Sequence, residues 1–205
     1  MKYLNNFLSI IILSLAISGC VSSSPYVVHN QYLLNMKTFA SQPKQDYKYT
    51  VMINPVSVVL PFNQANFMYR TNDFQYLTDY YHGFAVPLAQ QSDAFLLNYC
   101  YAIGRFQSLT IYGEFNQQAY KLQPMITQFY ADYRERNHPS AIVALNFKLY
   151  KFENNKASMV MNKTFTAHVP IKVKDTENLL IAWQDGLQTV MLQGIGELNK
   201  FLDEQ

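Results

Sequence analysis

Residues 140–170 read SAIVALNFKLYKFENNKASMVMNKTFTAHVP. Two runs rich in β-branched, aromatic and apolar residues, Ser140 to Phe152 and Ala157 to Pro170, flank the polar tetrapeptide Glu153-Asn154-Asn155-Lys156. Asparagine tolerates the left-handed backbone a tight turn needs, so the stretch reads as a hairpin. In the second run Met159, Met161, Phe165 and Ala167 partly alternate with polar residues, the period of a strand with one buried face. Upstream, Tyr120 to Tyr133 is strand-like, and the polar stretch Arg134 to Pro139 turns it into Ser140. Downstream, apolar residues at 179, 180, 183, 187, 190, 191, 195, 198 and 202 recur three or four apart. That spacing predicts one long amphipathic helix over 176–202, capped by Asp175 or Thr176.

Working outward from this block, Tyr26 to Asn35 reads as a first strand and 36–48 as a loop. Tyr49 to Leu60 is a strand with an edge or bulge at Pro55, because proline has no N–H to give a ladder. Pro61 to Ala65 is a link; Asn66 to Thr71 and Phe74 to Leu77 are short strands turned by Asn72-Asp73. Tyr80 to Leu88 then leads into a helix with apolar positions at 95, 96, 99, 103 and 106, started by Pro87 or Ser92 and loosened at Gly104. Leu109 to Tyr112 is a short strand. The economical arrangement is α/β: a mixed β-sheet with one central helix and a long C-terminal helix.

The N-terminus sets the compartment. Met1 to Asn6 carries one lysine, Phe7 to Ile17 is apolar, and Ile17-Ser18-Gly19 precede Cys20. An n-region, a short apolar core and small residues before a cysteine form a bacterial lipoprotein signal. The core is too short to cross a hydrocarbon layer, which takes about 20 residues. The expectation is that 1–19 are cleaved, that Cys20 is the lipid attachment site, and that 20–25 form a short tether. A single domain over 26–205 follows. Val21 rather than aspartate after the cysteine favours the outer membrane by the sorting convention of enteric-type bacteria. If the fold begins at Tyr26-Val27-Val28 the domain sits against the membrane; if it begins near Tyr49 the tether is several times longer.

Removing 19 residues leaves 186, enough for one well-buried core. Loss of Lys2 takes the formal charge from +2 to +1, with no basic stripe of the kind a nucleic-acid binder shows. With Cys20 acylated, Cys100 has no intramolecular partner and reads as a buried inert thiol in an apolar helix. The 16 tyrosines and 14 phenylalanines suit strands, with an interface as the alternative.

No nucleophile–base or zinc-protease pattern is present, so neither catalytic residues nor a metal or cofactor is expected. His29, His82, His138 and His168 are scattered, without i,i+4 spacing. Gly194-Ile195-Gly196 lies in a helical pattern without a preceding strand, and reads as tight helix packing. Asp132, Arg134, Glu135 and Arg136 read as a solvated turn. Arg70, the one charge in an apolar-aromatic strand, reads as a paired structural arginine, with a ligand site as the alternative.

Collinear segments carry a resemblance: Tyr32-Leu33-Leu34, Val59-Leu60-Pro61-Phe62, Met68-Tyr69-Arg70-Thr71, His82 to Leu88, Phe165 to Pro170 and the terminal helix. Together they resemble the ABC-type transport auxiliary lipoproteins, the outer-membrane partners of MCE-domain, paraquat-inducible-like lipid transport systems. The likeness covers roughly 30–203. This chain departs from that pattern at Phe84 (tryptophan in the family), Val86 (glutamate) and Asn63-Gln64-Ala65 (charged residues). The resemblance implies a three-layer sandwich-like fold, similar to the N-terminal domain of the Tol-system propeller protein. It also implies a non-enzymatic role, docking a periplasmic MCE-domain protein at the periplasmic face of the outer membrane. The expected partners are the membrane, through acyl chains on Cys20, and that MCE protein; self-association into a homo-oligomer is compatible, and nucleic acid is not expected. The alternative is an outer-membrane assembly lipoprotein like the one that plugs the lipopolysaccharide translocon.

Overall fold

The computed structural model describes residues 28–36, 49–103, 107–109, 119–154 and 156–205. Its elements are β1 (Asn30–Tyr32), β2 (Thr50–Ile53), β3 (Ser57–Val58), β4 (Asn66–Arg70), β5 (Tyr76–Phe84), α1 (Leu88–Ile103), β6 (Gln107–Leu109), β7 (Ala119–Asp132), β8 (Ser140–Glu153), β9 (Lys156–Pro170) and α2 (Thr176–Asp203). The expected mixed α/β sheet with one central helix and a long C-terminal helix is what these residues form.

The antiparallel meander β7–β8–β9 is the spine. It turns at Asn154, whose φ of 49° is the left-handed geometry that asparagine accepts. The free edge of β7 takes three short strands end to end, all parallel to it: β2 beside 119–122, β3 beside 125–126, and β4 beside 131–132. Pro55 splits β2 from β3 as anticipated, and Pro124 of β7 falls in the same break. The loss is made good locally, because Val56 N–H donates to the Asp93 carboxylate of α1. β6 flanks β2, while β5 and then β1 extend the other end beyond β4.

Both helices join one apolar cluster running from Leu34 to Leu202. The long helix α2 lies along β8 and β9 and starts at Asp175, whose carboxylate accepts from Asn178 N at 2.7 Å. On the opposite face the covering layer is thin: Phe62, from the link after the cis Leu60–Pro61 bond, packs on Met68, Tyr130 and Ile142. Among the described residues no helix is long and apolar enough to cross a membrane.

Three expectations need correction. Among the described residues the first strand is Asn30–Tyr32, and 26–27 of the range expected for it lie outside them. The segment 80–84 is not a lead into a helix; it is the second half of β5. The strand expected over 109–112 starts earlier, at Gln107, and is described as far as Leu109; residues 110–112 lie outside the described residues.

Candidate functional site

Strands β4 and β5 form an arm whose far end, Thr71 to Gln75, stands beside the β7–β8 turn. The tip is tied by Phe74 N–H to Asn72 Oδ1 (2.9 Å), Thr71 N–H to Gln75 O (3.1 Å) and Thr71 Oγ1–H to Gln75 Oε1 (2.8 Å). Arg70 curls beneath it, donating to the carbonyls of Asn72 and Asp73 at 3.3 and 3.0 Å, with its guanidinium carbon 5.6 Å from the Tyr76 ring centre. Arg70 is thus the paired structural arginine, although it also borders the cavity described below. These ties leave the Phe74 ring with nothing to pack on, and it is 97 % exposed. Leu77, Tyr80 and Tyr81 are exposed along the same strand.

Midway along β5 the ladder breaks. Asn66 pairs with Gly83 but Met68 pairs with Thr78, so several residues of β5 bulge out against a single residue of β4. Asp79 organises the bulge. Its carboxylate accepts from Tyr81 N (2.7 Å), His82 N (3.1 Å) and Tyr69 Oη (2.6 Å), and lies 2.9 Å from His82 Nδ1. Burial pushes the Asp79 carboxyl up, but the hydrogen bonds from Tyr69, Tyr81 and His82 outweigh it and hold the group below its ordinary value. Burial, then the hydrogen bond to Asp79 and its charge, push the Tyr69 phenol upward. Tyr80 and Tyr81 are turned outward by this bulge, 60 % and 55 % exposed, their rings 5.4 Å apart and edge to face. His29, just before β1, sets its ring 4.9 Å from Tyr80 and its Nδ1 2.9 Å from the Tyr80 carbonyl.

Beside the arm, on the thinly covered face, is a polar cavity of about 730 Å³ bordered by Arg70, Asp73, Tyr130, Asp132, Arg134 and His168. His138 also reaches it, so two of the four scattered histidines converge there. Arg134, Glu135 and Arg136 of the charged turn are exposed, as the sequence suggests, but Asp132 is not. Asp132 is only 9 % exposed, and Arg134 grips its carboxylate through Nε and Nη2 while Nη1 reaches Asp73 of the arm tip at 2.7 Å. Burial raises the Asp132 carboxyl, and the Arg134 hydrogen bonds and charge reverse this, leaving it below the ordinary value. Arg70 and Arg134 are matched by Asp73 and Asp132, so the cavity holds internal ion pairs more than an unspent charge for a ligand.

These two depressed carboxylates predict an acid limb. Each contributes stability that is present above the ordinary carboxylate value of 3.8 and is lost as pH falls through the lower value of the folded protein. Thermal unfolding followed from about pH 5 downward should show the midpoint falling steeply. Asp132→Asn should start from a lower midpoint at neutral pH, with a shallower acid limb. An acid limb unchanged by Asp132→Asn would refute the assignment.

The remaining expected residues are placed as follows. Cys20 lies outside the described residues. Cys100 is fully buried in α1, and burial pushes its thiol up to about 12, as suits an inert packing group. Phe84 is buried against Trp183, and Val86 accepts at its carbonyl from Gln91 Nε2 (2.6 Å). Gln91 in turn accepts from Leu34 N (2.8 Å), closing one end of an apolar groove of about 430 Å³ between α1 and Leu33–Met36. Among the described residues no group of three or more histidine, cysteine, aspartate or glutamate side chains is placed to hold a metal ion.

No family model and no curated protein matches the chain. Solved structures do. Protein XCC0632 from Xanthomonas campestris, ascribed to family DUF330, superposes with a TM-score of 0.70 at 19% identity, covering 86% of this chain and 99% of its own. An uncharacterised protein gives 0.54 at 14% identity, with 81% and 99% covered. The hypothetical protein CT253 from Chlamydia trachomatis gives 0.52 at 10% identity, with 77% and 100% covered. The likeness is one of fold. This sheet-and-helix arrangement therefore recurs across nearly the full length of distant proteins.

Proposed function

We propose that this protein is a non-enzymatic, lipid-anchored accessory component of an ABC/MCE-type trans-envelope lipid transport system. Acyl chains on Cys20 hold it at the periplasmic face of the outer membrane, and the arm offers the contact for the periplasmic MCE-domain protein. The observation that carries the reading is the arm tip: a large aromatic ring, Phe74, fully presented on a turn fastened by its own hydrogen bonds and by the Asp73–Arg134 pair. A rigidly mounted aromatic needs little ordering on contact and makes an effective anchor in a partner's pocket. The lipoprotein signal and the collinear resemblance supply the membrane and the class of partner.

Two substitutions test the two halves separately. Three acyl chains bind far more tightly than one, which alone gives only about 10⁴ M⁻¹. Cys20→Ala should therefore move the protein to the soluble periplasmic fraction with an unchanged melting midpoint; persistence in the membrane fraction refutes anchoring by Cys20. Phe74→Ser, at a site that packs on nothing, should leave stability within about 0.5 kcal/mol while abolishing mild crosslinking to the MCE-domain protein. Crosslinks only to lipopolysaccharide-translocon or peptidoglycan-associated components would refute the docking role.

A further inference from the structure

The bulge in β5 turns two tyrosines outward at the place where the chain arriving from Cys20 joins the sheet. β1 is the outermost strand on that side, pairing in parallel with β5 in the register Asn30↔His82 to Tyr32↔Phe84. The residue before it, His29, packs on Tyr80, and Val28 is exposed. Seven residues separate Val28 from Cys20, so the eight steps between them span at most about 29 Å even when fully extended. An acylated Cys20 is therefore held within about 29 Å of Val28, beside the His29–Tyr80 contact. With β1 paired to β5, the sheet starts ten positions after Cys20.

We infer that Tyr80 and Tyr81, with Val28 and His29, form a membrane seat: a patch that rests in the lipid headgroup layer and fixes the orientation of the anchored domain. The inference rests on acylation of Cys20. Three features of the patch fit a lipid surface. Tyrosine places an apolar ring and a polar tip at the depth where headgroups meet acyl chains. The carboxylate of the bulge, Asp79, is turned inward and fully engaged, so it sets no exposed negative charge against headgroup phosphates. The β1 edge beside the patch is only three residues long and carries Asn30 and Gln31, a poor template for a strand of another chain. The bulge explains how the presentation is achieved. Asp79 accepts from the Tyr81 N–H within the bulge, and the two rings that follow it, Tyr80 and Tyr81, are both exposed.

The seat also separates two surfaces. Phe74 at the tip lies beyond the start of β5, six residues along the chain from Tyr80, so the two aromatic surfaces occupy different parts of the arm.

The test uses the full acylated protein reconstituted in phosphatidylethanolamine–phosphatidylglycerol vesicles. Tyr80→Trp and Phe74→Trp each add one indole to the buried, constant Trp183. Flotation of the vesicles and the mass of the Cys20 peptide report the anchor; quenching by brominated phospholipid reports depth. The expected result is that both variants float, and that only the Tyr80→Trp emission is blue-shifted and quenched. Floating protein whose Tyr80→Trp emission is unquenched overturns the seat and leaves the anchor standing. A blue shift without bromolipid quenching that grows with protein density assigns the face to a second copy and also overturns it. Protein that neither floats nor carries acyl mass overturns the anchor, and the seat with it.

Discussion

Trp183→Ala should lower the stability of this protein by about 3–5 kcal/mol, the range for removing a large aromatic from a packed core. At about 2–4 °C per kcal/mol for a chain of this size, the melting midpoint followed by circular dichroism should drop by roughly 6–20 °C. Trp183 is fully buried in α2 and sits against three rings from three strands. Phe67 of β4 is 5.0 Å away and edge-on, Phe129 of β7 is 5.0 Å away, and Phe84 of β5 is 5.9 Å away. Phe67 and Phe84 also meet each other at 4.9 Å. The indole is therefore the contact through which the long helix grips both strands of the arm at their base. Its loss should do more than lower the midpoint. Limited proteolysis after Phe74 or Leu77 should accelerate well before global unfolding, because the arm loses its hold on the core first. Trp183→Phe keeps a ring in the site and should recover much of the loss. A deficit below about 1 kcal/mol, typical of an unremarkable site, would show that the four rings do not act as the clasp.

The meander and the terminal helix were legible because each obeys a single period. Val143, Leu145, Phe147 and Leu149 alternate onto the helix-covered face, and the spacing of Leu179, Trp183, Leu187, Val190 and Leu198 is the buried stripe of α2. The Pro55 interruption was legible for a different reason, since the missing N–H is written in the residue itself. What escaped was structure whose cause lies elsewhere in the chain. The outward turn at Tyr80–Tyr81 hides the period of β5 because Asp79 folds the strand upon itself, using Tyr69 from the neighbouring strand and the His82 ring. Four of the first six residues of that strand are aromatic or leucine, yet five of the six are exposed, so hydrophobicity misreports burial there. Asp132 in the charged turn misled for a similar reason. Asp132 is held by Arg134 two residues on, and Arg134 by Asp73 from a distant hairpin tip, a pairing no local window contains. Hydrophobic period and turn residues carried the order of the segments, while the arm's exposed face depends on contacts between distant residues.

Two glycines one residue apart in α2 should respond in opposite directions to the same substitution, and the contrast is the sharpest test of how that helix lies. Glycine in a helix interior costs about 1 kcal/mol relative to alanine, so alanine is favoured wherever there is room for it. At Gly196 there is room: an added Cβ meets nothing within 4 Å. Gly196→Ala should raise stability by about 1 kcal/mol. This corrects the sequence reading, which assigned both glycines to tight packing. At Gly194 an added Cβ would stand 2.1 Å from the Phe147 ring, inside its van der Waals surface. Phe147 is itself fully buried in β8 and cannot swing into solvent to make way. The helix must lift from the sheet or the ring must displace its neighbours, and overpacking of this kind costs about 1–3 kcal/mol or more. With so deep an overlap the upper end should apply, so that Gly194→Ala loses about 2 kcal/mol net even after its gain in helix propensity. Chemical denaturation of the two variants side by side reads the difference directly. Equal effects at the two positions would mean that α2 does not lay Gly194 against the Phe147 ring. If the signs are opposite as expected, the pair fixes the rotation of the helix that carries Trp183, and with it the position of the clasp at the base of the arm.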